Sequence, residues 1–492
     1  MVLSGWSERD ALTAVAGRRR ISRAAKRGLA AVLVVVPAVM SPAVTPVMAQ
    51  GEPEAEVVLE GRGWGHGVGM AQDGALAMGA AGSSTEDILA TFYPGTSLAS
   101  GGGNVEVAVV DGQPAVEIAF PAGGEVLDSA SGEQSPGFPV TVSPGGSVSL
   151  FLEDGLYRAE PLAGAAAAPL PEADPAEPAD PAVPSTPPPP AIPTSSRPLW
   201  AVPPDGSSTV VGDHRYRGVL QASGGGGGIQ VVNRVDVEDY LRGMGEIRDP
   251  GAPATALQAQ AIAARTYAVR AVRAGRTLCR DERCQVCLGT TGEYAAMDAA
   301  VADTAGQVLV YEGSLAETVY SASGGGISAS PEEGFGDNDA QYPYLRVTPY
   351  PTGDPHLWDL RTPLAEMAAR FAYPGAASGA AVTRVGPSGR ALEVTFDGDS
   401  GAMAVDIHRF SAELNLRSTL FTLRVDVPPP ALAEGQAAAG GVRIARPPPE
   451  VILYGAPAAP ARPLWIAVAL LVLVAAGTAG WARGRSTKRL DT

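Results

Sequence analysis

Lysine is almost absent from this 492-residue chain, and histidine and cysteine are scarce. The two lysines, Lys26 and Lys488, lie near the two ends, so the rest of the chain has no lysine-rich face. The formal net charge is −16 at pH 7. Such an acidic chain is a poor match for the phosphate backbone of DNA or RNA, and we expect no nucleic-acid partner.

Both ends of the chain carry membrane signals. A cluster of arginines precedes a short apolar run that Pro37 breaks, and small residues follow up to Ala49. This layout predicts a secretory signal peptide at 1–49, with an uncleaved membrane anchor as the alternative. The uncharged run at 463–482 has tryptophans near its edges and basic residues after it, which predicts a transmembrane helix and a cytoplasmic tail at 483–492. We expect a single-pass type I membrane protein.

The three cysteines lie in one short segment, LCRDERCQVCLG, at Cys279, Cys284 and Cys287. A disulfide that leaves one thiol over is the usual outcome in an exported chain. Zinc is the competing interpretation, but the segment lacks a nearby histidine and a second paired half. The sequence favours the disulfide, and we expect no metal and no other cofactor.

Composition divides the exported part of the chain. Alternating apolar and polar residues predict strands over Val105–Val109 and Ala115–Phe120, with turns at Asp111-Gly112 and at Pro144-Gly145-Gly146. Segment 161–199 is so rich in alanine and proline that it cannot bury a core, which predicts a disordered spacer. A second proline-rich segment, 428–462, is predicted to be a stalk before the membrane.

The clearest helix is predicted from Ala256 to Gly275. Leu257 and a series of alanines recur at helical spacing, and Gly275 supplies a stop. Thr255 and Gln258 are predicted to form a capping box at its start. Most positions of this helix are small, so we expect other elements to pack closely against it.

Three sequence segments resemble the SpoIID/LytB family of cell-wall proteins. They read GRGWGHGVGM at 61–70, VDVEDYLRGMGEIRDPGAPATALQAQAIAARTYAVR at 235–270 and YSASGG at 320–325. In that family the glycine–histidine segment closes the domain, whereas here it opens the mature chain, which implies a circular permutation. Residues Phe410 to Phe421 resemble the family's closing core strand.

The resemblance implies an α+β fold. We expect a SpoIID-like domain with β-rich sheets around a central helix, plus one C-terminal transmembrane helix. The permuted segment and the first strands would occupy 50–160 and the core of the domain 200–427, with 161–199 as an insertion inside one domain. The bulk of the chain would face the cell wall.

Family members of the SpoIID kind are similar to lytic transglycosylases, which cleave peptidoglycan glycan strands without water. One carboxyl group serves as acid and then as base, and the resemblance implies Glu246 for this role. Glu238 is a weaker substitute, because its place suits the start of a helix. The alternative is a non-catalytic, glycan-binding enhancer of a cell-wall amidase, and that amidase would then be a partner.

The resemblance also implies a set of substrate-binding residues: Arg265, Tyr320, Ser323, Gly324, Gly325, His66 and Gln72. A buried Arg265 needs a partner, so it would pair with a carboxylate such as Glu246 or contact substrate, and a structural ion pair is the alternative. Within the cysteine segment, the resemblance implies that Cys279 pairs with Cys284, because Cys287 takes a position where the family often has a packed aromatic residue.

Overall fold

A computed structural model describes residues 54–162, 164–167 and 192–427. The predicted signal peptide, stalk, transmembrane helix at 463–482 and tail lie outside the described residues, as does most of the predicted spacer. Within the described ranges, no helix is long and apolar enough to cross a membrane.

The described residues form a mixed α+β fold, as the resemblance implies. The strands, in chain order, are β1 (Glu56–Arg62), β2 (Met70–Ala71), β3 (Ser97–Ser100), β4 (Asn104–Gln113), β5 (Ala115–Phe120), β6 (Gly124–Leu127), β7 (Val140–Val142), β8 (Gly146–Glu153), β9 (Leu156–Pro161), β10 (Ala165–Ala167), β11 (Thr194–Ser195), β12 (Leu199–Val202), β13 (Thr209–Val211), β14 (His214–Tyr216), β15 (Val219–Gly225), β16 (Gly228–Asp236), β17 (Gln307–Tyr311), β18 (Ser314–Leu315), β19 (Tyr320–Ser321), β20 (Leu357–Pro363), β21 (Ala377–Val385), β22 (Ala391–Gly398), β23 (Met403–Asp406) and β24 (Phe421–Asp426). The helices are α1 (Gln72–Ala80), α2 (Thr85–Phe92), α3 (Val237–Arg242), α4 (Ala254–Arg273), α5 (Ala295–Asp303), α6 (Pro331–Phe335), α7 (Leu364–Arg370) and α8 (Ile407–Leu414).

Two antiparallel sheets share one hydrophobic core. The first has the strand order β10-β7-β6-β12-β15-β16-β4, and the second has the order β11-β9-β8-β5-β13-β14. Buried and exposed residues alternate along β4 and β5, which is the pattern that predicted them. The predicted turn at Asp111-Gly112 is wrong, because β4 continues to Gln113 through a bulge opposite β16, and Gly112 adopts φ 60°.

Helix α4 lies at the centre of a group of helices that consists of α1, α2, α3 and α5. It runs from Ala254 to Arg273, close to the predicted limits, and its many buried alanines allow α1, α2, α3, α5 and β17 to pack against it. The predicted capping box is wrong: Pro253 caps the helix, and no side chain caps its first turn. Gln258 instead accepts a hydrogen bond from Thr85 Oγ1 at 2.7 Å, which ties α4 to α2.

Strand β1 joins the two ends of the described chain. It lies between β20 and β24 and pairs antiparallel with both, so that Leu59 is opposite Leu360 on one side and Leu423 on the other. Residues Phe410 to Phe421 do not form the expected strand. Asp406 accepts hydrogen bonds from the first backbone N–H groups of α8, so Phe410 becomes a buried helical residue, and the strand begins only at Phe421.

Candidate active site

Glu246 lies in the loop between α3 and α4 and is half-buried. Segment 284–288 runs antiparallel to this loop: Gly245 N–H donates to the carbonyl of Val286 at 2.9 Å, and Leu288 N–H donates to the carbonyl of Gly243 at 2.8 Å. The N–H of Val286 in turn donates to Glu246 Oε1 at 2.7 Å. The loop is therefore paired like a short strand, and its carboxylate is oriented by a backbone donor.

The cysteine segment supplies that backbone donor. The Sγ atoms of Cys279 and Cys284 are bonded at 2.06 Å, and Cys287 is a buried free thiol. Gln285 and Val286 follow directly after the bonded Cys284, so the closed loop sets the position of the strand-like stretch beside Glu246.

Two further polar groups reach Glu246 from distant parts of the sequence. Strand β2 pairs parallel with β19, which brings the start of α1 next to Tyr320. Gln72, the first residue of α1, points its Nε2 at Glu246 Oε2 (3.5 Å) and at Gln260 Oε1 (3.3 Å). The hydroxyl of Tyr320 also hydrogen-bonds with the Glu246 carboxyl. The structure thus brings together three of the residues that the sequence singled out.

Burial raises the pKa of Glu246 above its ordinary value. The loss of solvent around the carboxyl group is the largest cause, and the negative charge of the nearby Glu282 acts in the same direction. The hydrogen bonds from Val286, Gln72 and Tyr320 oppose the shift without cancelling it. Glu246 therefore retains its proton to a higher pH than a solvated glutamate does, which suits a general acid.

A buried chain of side chains behind Glu246 was not predicted from the sequence. Gln285, which is fully buried, donates from Nε2 to the hydroxyl of Tyr320 at 2.9 Å and to the carbonyl of Ala264 at 3.2 Å. Its Oε1 accepts from the hydroxyl of Tyr240 at 2.9 Å. This chain fixes the orientation of the Tyr320 ring, so Tyr240 and Gln285 position the group that contacts the carboxyl. The placement of Gln285 between two cysteines was the available signal.

His66 lies beside this site and remains neutral. Its Nδ1 accepts from the N–H of Val68 at 3.0 Å, and its ring packs against that of Phe335 with centroids 4.6 Å apart. The pKa of His66 is lowered to about 4, with burial as the largest cause. The positive charge of Arg390 acts in the same direction, and a hydrogen bond with the Tyr320 backbone opposes the shift. The imidazole therefore holds the glycine–histidine loop against β19.

The glycines of this loop allow a close approach to Arg390. Gly67 has φ 75°, and a side chain there would collide with the Arg390 guanidinium. Arg390 is fully buried and donates to the carbonyls of Gly324 at 2.8 Å and Ile327 at 3.2 Å. One buried cation therefore links the glycine–histidine loop at 61–70 to the loop at 323–327.

The polar groups of Ser323 and Gly324 and the N–H of Gly325 are hydrogen-bonded within the fold. Ser323 is fully buried, and its hydroxyl donates to Asp73 Oδ2 at 2.9 Å and accepts from the N–H of Gly325 at 3.0 Å. The N–H of Gly324 donates to the hydroxyl of Tyr350 at 2.6 Å. These residues build the turn that supports β19, and the substrate contact that the resemblance implied for them stays a prediction.

Arg265 is also turned away from Glu246. Its guanidinium is fully buried and binds both carboxylate oxygens of Glu238, at 2.9 and 2.6 Å, together with the carbonyl of Gln307 at 3.1 Å. Of the alternatives that the sequence left open, the structural ion pair is therefore the one observed, and its carboxylate is that of Glu238, not Glu246. Glu238 is the counter-ion of a buried cation that joins α3 to α4, and it is not a free carboxylate that stands in for Glu246.

Parts of the chain match a protein-family model and two known proteins. A family model described as Stage II sporulation protein, SpoIID, matches residues 225–311, which include Glu246, all of α4 and the cysteine segment. An uncharacterised protein of Brachyspira hyodysenteriae is 35% identical over 121 residues, which are 23% of this chain and 32% of that protein. An amidase enhancer of Bacillus subtilis is 48% identical over 46 residues, which are 9% of this chain and 6% of that protein. The matches thus span 32% or less of the length of these relatives. No solved structure matches the chain.

Proposed function

The chain belongs to the SpoIID/LytB family, and from that premise we propose that it is a peptidoglycan lytic transglycosylase with Glu246 as its acid and base. The observation that carries this proposal is the burial and the hydrogen bonding of the Glu246 carboxyl group. Its pKa is raised by burial, and Val286, Gln72 and Tyr320 orient it. A single carboxyl group of this kind is sufficient for the reaction, because no water has to be activated.

The proposed reaction has two proton transfers at the same carboxyl. Protonated Glu246 gives its proton to the glycosidic oxygen as the bond from that oxygen to the muramoyl C1 breaks. The Glu246 carboxylate then takes the proton of the muramoyl 6-hydroxyl as that oxygen bonds to C1 and closes the anhydro ring. The products are one strand with a new hydroxyl end and one with an anhydromuramoyl end, and the carboxyl regains its proton. The hydrogen bonds from Val286, Gln72 and Tyr320 would stabilise the intermediate carboxylate.

A second function is favoured by one of the similar proteins. The Bacillus subtilis relative is named an amidase enhancer. A chain with that role would bind glycan in the same place and assist a separate cell-wall amidase. Glycan binding alone does not require an ionisable group at position 246, so the carboxyl separates the two functions.

We also propose that the chain works outside the cell while attached to the membrane. The support is the sequence pattern of a signal peptide at 1–49 and of an apolar span at 463–482. A glycan-cleaving site is useful only on the outer side of the membrane, where the cell wall lies.

The test compares Glu246→Gln with the wild-type full-length chain on purified glycan strands, with anhydro products quantified by mass spectrometry. Glutamine preserves the size of the side chain but neither donates nor accepts the catalytic proton, so cleavage should fall by about two to four orders of magnitude. Glu282→Gln is the matched control, because Glu282 is an exposed carboxylate whose negative charge contributes to the raised pKa of Glu246. Its removal should leave the maximal rate within about twofold, and it should move the loss of activity at alkaline pH to slightly lower pH, because the pKa of Glu246 falls.

Release of anhydro products by Glu246→Gln at the wild-type rate would show that the catalytic assignment is wrong. If the wild type releases none but binds glycan and accelerates an added amidase, the enhancer function is correct. Glu238→Gln is unsuitable as a control, because it leaves the buried Arg265 without a counter-ion and should destabilise the fold.

A further inference from the structure

An exposed indole lies on the glycine–histidine loop, in a rigid setting. Trp64 is 50% exposed, although it sits between two glycines in a loop tied down on both sides. The backbone N–H of Trp64 donates to the carbonyl of Ser323 at 2.8 Å, and the backbone carbonyl of Trp64 accepts from the N–H of Ser323 at 3.1 Å. The next residue, Gly65, donates to the carbonyl of Arg417 at 2.8 Å. The backbone that carries this exposed ring is therefore fixed before any ligand arrives.

One arginine lies over the indole and another precedes it closely in sequence, and neither is neutralised. The Cζ atom of Arg417 lies 4.8 Å from the centre of the Trp64 ring, and Arg62 precedes Trp64 by two residues. Both arginines are exposed. In the part of the chain that the structure describes, neither guanidinium has a hydrogen bond or an ion pair with a carboxylate. In a chain with a net charge of −16, an unpaired cation over an exposed indole, with a second unpaired cation two residues before that indole, indicates a site for an anion.

A second arginine–tryptophan pair in the same chain shows the contrast. Arg234 lies over the ring of Trp200 at 4.9 Å, on the sheet that contains β12 and β16. There the guanidinium also binds Glu106 Oε1 at 2.8 Å, and the indole is half-buried. The charge of Arg234 is therefore balanced by a carboxylate within the fold. The ring of Trp64 is exposed, and no carboxylate among the described residues balances the charge of Arg417.

We propose that Trp64, Arg62 and Arg417 form a subsite for a carboxylate-bearing sugar ring of the glycan strand. The apolar face of a pyranose packs on the indole, and the guanidinium groups bind the carboxylate. The inference rests on the proposed function, because the occupant is taken to be the strand that Glu246 cleaves. The loop connects the two sites: Trp64 lies two residues before His66, which contacts the Tyr320 backbone, and the Tyr320 hydroxyl contacts Glu246.

The carboxylate has two possible sources in a cell-wall strand: the lactyl group of the muramoyl sugar itself, or a peptide attached to it. The shared chemistry is an anion carried by a sugar ring, and separate ligands distinguish the sources. The experiment measures binding of the full-length Glu246→Gln chain, which does not consume the glycan. The ligands are glycan strands with free lactyl carboxylates, the same strands with those carboxylates methyl-esterified, strands with peptides attached, and uncharged N-acetylglucosamine oligomers.

Trp64→Ala should weaken binding of every ligand by about tenfold to a hundredfold, because the stacking surface is lost. Trp64→Phe should recover part of that loss. Arg417→Gln should weaken only the carboxylated ligands, by about threefold to tenfold, and added salt should reduce the difference. The matched controls Trp200→Ala and Arg234→Gln should leave affinity unchanged, and circular dichroism should show that all variants are folded.

Unchanged affinity in folded Trp64→Ala would overturn the subsite. An equal loss for esterified and free strands in Arg417→Gln would overturn the role of the anion. Tighter binding of peptide-bearing strands than of free strands would assign the carboxylate to the peptide, and the reverse order would assign it to the sugar. These readouts do not depend on cleavage, so a failure of Glu246 as the catalytic group would leave the binding results interpretable.

Discussion

At the scale of single residues, His66 links pH to stability. Burial lowers the pKa of His66 to about 4, whereas an unfolded chain has a histidine pKa near 6.5. Between these values the unfolded state binds a proton that the folded state does not bind. The free energy of unfolding should therefore be fully retained above about pH 6.5 and should fall as the pH drops toward 4, by at most about 3 kcal/mol. Urea unfolding at several pH values measures this.

The control for this prediction is His66→Gln, because glutamine has a carbonyl oxygen to accept the Val68 N–H but does not titrate. The variant should lose less stability than the wild type over the same pH range. Glu246 acts with the opposite sign, since its raised pKa favours the folded state as the pH falls, so only the difference between wild type and variant isolates His66. Parallel curves for the two proteins would contradict a neutral, buried imidazole.

The sequence identified individual residues of the candidate site, but it did not predict their hydrogen-bond partners. Glu246 and Gln72 are 174 positions apart, and they meet only because β2 pairs with β19. Arg265 was recognisable as a buried cation in need of a carboxylate, and both Glu238 and Glu246 were near enough in sequence to serve. The geometry of α3 against α4 selects Glu238, and that choice depends on packing that no local pattern encodes.

At the scale of elements, the cysteine segment holds the Glu246 loop in position through hydrogen bonds. The disulfide closes the turn from which Gln285 and Val286 extend, and these two residues orient Tyr320 and Glu246. We therefore expect Cys279→Ser or Cys284→Ser to lower glycan cleavage by about tenfold to a hundredfold, because a small displacement of a catalytic group is costly. The loop is short, so the free energy of unfolding should fall by only about 2 kcal/mol.

Peptide mapping under non-reducing conditions tests the pairing that underlies this expectation. It should recover a Cys279–Cys284 peptide and an unpaired, buried Cys287. Cys287→Ala serves as the control, because it removes a thiol from the same segment without opening the loop, and it should retain most of the activity. Three free thiols with one equivalent of bound zinc would instead favour the metal site.

Helices and strands with a strong periodic pattern were predicted well, whereas segments with competing signals were not. The alanine-rich run of α4 has one period and was predicted to within two residues of its observed limits. Residues Phe410 to Leu414 were expected in a strand but form part of α8, because Asp406 caps the helix and Ile407 and Phe410 bury one face. The helix cap at Asp406, four residues before Phe410, was the signal that the resemblance outweighed.

At the scale of the whole molecule, the strand pairing shows how distant segments are held together. The predicted spacer at 161–199 is not disordered throughout, because β10 and β11 lie within it and β12 begins at its last residue. Strand β12 lies between β6, which precedes the spacer, and β15, which follows it. Strand β1 likewise lies between β20 and β24. A circular permutation of the domain requires its first and last strands to be neighbours, and β1 and β24 have that arrangement.

These pairings predict the result of cutting the chain within 168–191. A protease that cleaves there should produce two fragments that elute together in native size-exclusion chromatography, because β6–β12, β1–β20 and β1–β24 each join one fragment to the other. The Cys279–Cys284 disulfide lies entirely in the second fragment, so it does not link the two covalently. Unreduced denaturing electrophoresis should therefore separate them, and urea should separate them in solution at the concentration that unfolds the sheets. Fragments that separate without denaturant would show that 161–199 divides two independent domains and that the permuted segment is not part of one composite domain.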